Sequence, residues 1–114
     1  MPAFKTKTGA KSSLSPLILK YLADKKIDFE KNGIEKIGLF GSFAKGTATE
    51  YSDIDIAIKL KQNYLKNHDV WEYFTLIENI KKQIMDEFHK KSDVFDLDSA
   101  TDIKHQIQKE VIYV

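Results

Sequence analysis

The sequence predicts an α/β (α+β) fold, a small mixed β-sheet of three or more strands with helices packed on one face. Three observations predict it. The stretches "IEKIGLF" (34–40) and "SDIDIAIKL" (52–60) read as strands, the first by its short apolar run and the second by period-two alternation. From Asp69 onward, apolar residues recur at helical spacing. The 114 residues suffice for one core and not for two.

Residues 1–13 are polar and are expected to form a flexible tail, leaving 14–114 as a single domain. Leu14, Leu17, Ile18, Tyr21 and Leu22 then mark one stripe of a helix. Ser15 is read as its N-cap and Pro16 as its first helical residue, with Asn32-Gly33 as the stop signal. Residues 34–40 form a buried strand that runs straight into Gly41-Ser42. In residues 52–60, Ile54, Ile56 and Ile58 face one side, and Asp53 and Asp55 face the other. "KQNYLKNH" reads as a linker. Asp69 caps a long helix whose stripe is Val70, Phe74, Ile77, Ile84 and Phe88, widened by Tyr73 and Ile80. Trp71 lies off that stripe, either as an exposed anchor or at the helix edge. "SDVFDLD" (92–98) is a third strand, against the poor strand propensity of its aspartates. A last helix from about Thr101 carries Ile103, Ile107 and Val111.

Composition excludes several classes of function. With 42% apolar and 31% charged residues the chain is globular, and a net charge of +1 gives no basic field for direct nucleic-acid binding. No apolar run approaches the ~20 residues needed to span a bilayer, so no membrane role is expected. Without cysteine there is neither a disulfide nor a thiolate metal site, which suits a cytoplasmic setting. All 18 basic residues are lysine, so a phosphate contact here is a point charge and not a guanidinium fork.

The chemistry concentrates in "GSFAKGTATEYSDIDIAI" (41–58). A strand ending in Gly41-Ser42 and turning into a short helix exposes backbone N–H groups that attract phosphate. Glycine lets the phosphate approach the backbone, Lys45 can offset its charge, and Gly46 adds a second flexible point. Asp53 and Asp55 project from one strand face about 6.5–7 Å apart along the chain. Such a pair can share divalent ions spaced ~3.5–4 Å apart. Hard oxygen donors select magnesium, two ions in that arrangement, with manganese as a substitute. A strand aspartate beside the pair would complete a carboxylate triad, holding metal and taking the proton of an incoming hydroxyl. Asp93 shares parity with Phe95 and Leu97, whereas Asp96 and Asp98 share the other parity, and sequence leaves the choice open. His68, His89 and His105 have no metal spacing and read as surface residues.

Gly-Ser, ten intervening residues and Asp-x-Asp resemble the signature of the DNA polymerase beta-like nucleotidyltransferase superfamily. "IEKIGLFGSFAKGTATEYSDIDIAI" is similar to its minimal nucleotidyltransferase branch, and "KSDVFDLDSATDIKHQIQKEVIYV" resembles that branch's closing segment. The likeness covers residues 14–114 and departs at Lys45, where the branch's "GSFARG" has arginine. It implies transfer of a nucleoside monophosphate from ATP to a hydroxyl. Gly41 and Ser42 would hold the triphosphate, Asp53 and Asp55 the magnesium ions, and Asp93 the acceptor, with Asp96 in reserve. The branch further implies an antitoxin that transfers AMP to a tyrosine of a HEPN-type ribonuclease toxin. Two other roles stay open: an antitoxin that only masks its toxin, and an aminoglycoside-type nucleotidyltransferase working with a separate helical subunit.

Overall fold

The computed structural model describes residues 10–114, with side chains from Leu14 onward. The elements are α1 (Ala10–Asp24), α2 (Lys26–Lys31), β1 (Ile34–Phe40), α3 (Gly41–Lys45) and β2 (Ile54–Leu60). They continue with α4 (Tyr64–Asn67), α5 (Val70–Phe88), β3 (Ser92–Asp96), α6 (Lys104–Glu110) and β4 (Ile112–Tyr113). The strands form one sheet in the order β3-β2-β1-β4. β1 runs antiparallel to β2 and β4, and β2 runs parallel to β3, so the sheet is mixed as expected. A parallel neighbour needs a crossover connection, and α5 supplies it.

The alternation in β2 divides the molecule into two layers. Ile54, Ile56 and Ile58 are wholly buried against Ile18 and Leu22 of α1, Phe29 of α2, and Ile80 and Ile84 of α5. Each of these isoleucines contributes about 1.5–3 kcal/mol of burial free energy. On the opposite face Phe40, Ala57, Leu97 and Ile107 form a smaller cluster, joined by Phe95 and Val111. The larger helices thus share one face, while α6 covers part of the other and leaves the remainder for polar residues.

α5 begins where its capping signal places it. The Asp69 carboxylate accepts the Glu72 N–H at 2.8 Å, and Glu72 accepts the Asp69 N–H at 3.0 Å. This reciprocal pair satisfies two donors that the helix itself leaves open. The inward stripe is Tyr73, Ile77, Ile80, Ile84 and Phe88. Val70 and Phe74, expected on it, are 54% and 52% exposed, because the core meets the helix face turned toward Ile80.

Other expectations are corrected by tertiary contacts. Ser15 is not an N-cap: α1 starts at Ala10, Pro16 lies inside it, and Ser15 Oγ donates to the Phe43 carbonyl at 2.6 Å. The helical run to Asn32-Gly33 is interrupted at Lys25, between α1 and α2. The 61–68 segment contains α4, held by the buried Tyr64. β3 stops at Asp96, where turn hydrogen bonds from Ser99 and Ala100 to the Asp96 carbonyl take over from the ladder. α6 begins at Lys104 and ends at Glu110, and the chain after it pairs as β4 with Gly38 and Leu39. Of the expected tail, residues 1–9 lie outside the described residues and Ala10 to Ser13 belong to α1.

Candidate active site

β1 passes directly into α3, and that junction sets the geometry. Phe40 is extended, and Gly41 turns the chain at φ +73°, a left-handed conformation that strains any residue with a Cβ. A Cβ at Gly41 would also overlap the carboxylate of Asp55. Glycine is therefore required twice over, for the bend and for the approach of its backbone to Asp55. Buried Phe43, whose carbonyl accepts from Ser15, fixes α3 on α1. Gly46 closes α3 at φ +77° with open space where a Cβ would stand, so it serves the turn alone. Ser42, one residue after the bend, is half-buried, and its carbonyl accepts the Gly46 and Thr47 N–H groups.

Strand register gathers the acids. Asp55 pairs with Phe40 of β1 on one side and with Asp93 of β3 on the other. Paired residues point to the same face, so Asp55 and Asp93 project side by side from the face opposite the isoleucines. Asp53 shares their parity just ahead of β2. It is held beside the start of β3 by the Ile54 N–H, which donates to the Lys91 carbonyl at 3.0 Å. Asp53 and Asp93 together border a cleft of about 420 Å³ that α5 overhangs with Lys81, Lys82 and Met85.

The electrostatics follow from this crowding. The Asp55 carboxyl is pushed up to about 6, first by burial and then by Asp93, Asp53 and Glu110. Three further carboxylates therefore act on one half-buried acid. Lys45 Nζ lies 3.5 Å from Glu110 Oε2. The Glu110 carboxyl is drawn below its ordinary value, most by its hydrogen bond to Gln106 and further by Lys45 and the Gly41 backbone.

Asp96, the reserve for the third carboxylate, faces the other layer. It accepts the Tyr73 hydroxyl at 3.0 Å, the Asp98 N–H at 3.0 Å and Ser99 Oγ at 3.4 Å. Burial, then Asp96, pushes the Tyr73 hydroxyl up to about 12. Asp96 thus ties α5 to the end of β3 and does not join Asp53 and Asp55. Asp98 pairs with Lys59 at 3.2 Å. His68 stacks on Tyr64, with ring centroids 4.0 Å apart, far from this chemistry.

Glu110 is the site residue that sequence reasoning missed. Its signal was slight, a glutamate at the end of a short helix ahead of an apolar pair.

One half-buried carboxylate flanked by two exposed ones on the same face, all hard oxygen donors, fits a divalent cation. Among the described residues, no three or more His, Cys, Asp or Glu side chains already close around one point as ligands. Asp53, Asp55 and Asp93 are the residues that could hold the ion.

Comparison with known proteins decides the family. The pattern of the family described as polymerase beta, nucleotidyltransferase matches residues 24–114, which include every one of these acids and the Gly41-Ser42 bend. The chain belongs to this nucleotidyltransferase family. A Methanocaldococcus jannaschii relative, named as a putative protein adenylyltransferase, is 36% identical over 92 residues, covering 79% of this chain and 86% of its own. The protein adenylyltransferase MntA of Thermococcus cleftensis is 30% identical over 94 residues, covering 81% of this chain and 86% of its own. A crystal structure of a toxin–antitoxin with AMP-PNP contains a chain that is 26% identical, with a TM-score of 0.56. That match covers 79% of the nucleotidyltransferase described here and 69% of the other chain.

Proposed function

We propose that this nucleotidyltransferase moves AMP from ATP to a tyrosine hydroxyl of a HEPN-type ribonuclease toxin, using magnesium, and so acts as its antitoxin. The observation that carries the reading is the register: Asp55 lies between the Gly41 bend and Asp93, with Asp53 on the same face. Names of relatives support the acceptor class, since they are protein adenylyltransferases, and a similar chain sits in a toxin–antitoxin with AMP-PNP.

In this reading the Gly41 and Ser42 backbone and the Lys45 ammonium bind the β- and γ-phosphates. Asp53, Asp55 and Asp93 hold the magnesium, which supplies charge neutralisation at the phosphates when bound. Asp93, on the edge strand, faces the acceptor and takes its proton. The phenolic oxygen then bonds to the α-phosphorus, the bond from that phosphorus to the β-phosphate oxygen breaks, and pyrophosphate leaves. Little of this is covalent work by the protein; alignment and charge stabilisation provide the rate. Lysine at position 45 neutralises charge without the bidentate grip of an arginine, so the bend carries more of the orientation.

The test mixes the purified chain and its neighbour-encoded toxin with α-labelled ATP and magnesium. Label is expected on the toxin, and none with Asp53→Asn. Label absent in both mixtures rejects the reading.

One observation favours a second reading, masking without chemistry. Val70, Trp71 and Phe74 are 54%, 74% and 52% exposed at the start of α5, an apolar patch suited to contact. Toxin neutralisation by Asp53→Asn as strong as by the unaltered protein would establish masking.

A further inference from the structure

The Glu110 carboxylate faces two of the groups that the proposed function gives to the triphosphate. Its Oε2 lies 3.5 Å from Lys45 Nζ. The Gly41 backbone N–H and Lys45 both favour its charged form. The Glu110 side chain is 16% exposed, against 50% for Lys45, so the acid lies inside the site and the lysine reaches in from solvent.

The fold pins the backbone beneath it. Ile107, one turn earlier, is buried against Phe40 and Ala57. Two residues later Ile112 pairs with Leu39 as β4. Between those anchors the Glu110 backbone is fixed, and Gln106 Nε2 steadies the side chain by donating to Oε2 at 3.3 Å. Lys45 cannot serve Glu110 and a phosphate oxygen with the same strength, and two anions at one ammonium repel.

We propose that Glu110 is a built-in competitor of the triphosphate, a carboxylate that holds Lys45 beside the Gly41 bend and must release it for nucleotide to bind productively. This inference rests on the phosphate role given to Gly41, Ser42 and Lys45. It makes Glu110 a positioning residue that sets nucleotide affinity, and its charge works against binding. A clamp that orients Lys45 toward phosphate would have the opposite effect on affinity.

Titration calorimetry on the full chain with magnesium and AMP-PNP, and separately with inorganic tripolyphosphate, separates these roles. Glu110→Gln keeps the shape and a polar contact for Gln106 while removing the charge. It is expected to tighten both ligands about fivefold, the worth of a part-exposed ion pair, and to leave adenosine binding unchanged. Glu110→Asp, with a shorter reach to Lys45, is expected to fall between the two. Unchanged or weaker binding of AMP-PNP by a Glu110→Gln protein with normal circular dichroism overturns the inference alone. No binding by the unaltered chain removes it together with the functional reading.

Discussion

Replacing Asp55 by asparagine is expected to stabilise the metal-free protein while ending its chemistry. Moving a carboxyl from its ordinary 3.8 to about 6 costs the charged form about 3 kcal/mol at full strength. Asp55 is only half-buried, and solvent screening leaves about 1–2 kcal/mol of that. The sign follows from linkage. A raised folded-state pKa means that this contribution to stability is present below about pH 4 and is lost as pH rises through about 6. Asparagine carries no charge at any pH, so the gap between variant and unaltered protein opens across that window and is flat above it. Urea unfolding in EDTA at pH 4 and pH 7.5 reads it directly, with a gain of about 1–2 kcal/mol expected only at the higher value. A gap equal at both pH values, or a less stable variant at pH 7.5, refutes the claim that burial, reinforced by neighbouring carboxylates, penalises the charged form of Asp55.

Three further outcomes follow from particular contacts. Gly41→Ala is expected to lose about 2–4 kcal/mol in thermal or urea unfolding, from left-handed strain plus overlap with Asp55, whereas Gly46→Ala loses only about 1 kcal/mol of strain. Asp93→Asn is expected to lower AMP transfer by about 100-fold or more, and Asp96→Asn to leave it within about threefold, in a labelled-ATP assay. Tyr73→Phe is expected to cost about 1–3 kcal/mol of stability with little change in transfer, since the lost hydroxyl bonds the structural Asp96.

Much of the architecture was legible because the signals were local. The alternation of Ile54, Ile56 and Ile58 with Asp53 and Asp55 marked both the strand and its two faces. Asp69, read as an N-cap, marked the start of α5 to the residue. What escaped depends on partners distant in sequence. Ser15 reads as a cap until Phe43, 28 residues away, offers it a carbonyl. Val70 and Phe74 fit a helical stripe, but only the packing on the sheet selects which stripe faces inward. β4 is a two-residue strand that exists because β1 leaves an edge for it. The choice between Asp93 and Asp96 depended on the register of β2 with β3, which no local pattern encodes. Glu110 was hidden for the same reason, since β4 is what pins the backbone just beyond it.

The central claim is that Asp53, Asp55 and Asp93, separated in the chain, form one cation site beside the Gly41 bend. Manganese binding followed by electron paramagnetic resonance in the presence of AMP-PNP tests it most directly. Two bound ions per chain are expected for the unaltered protein, with at least one lost on each of Asp53→Asn, Asp55→Asn and Asp93→Asn. Manganese binding that is indifferent to all three substitutions contradicts the account.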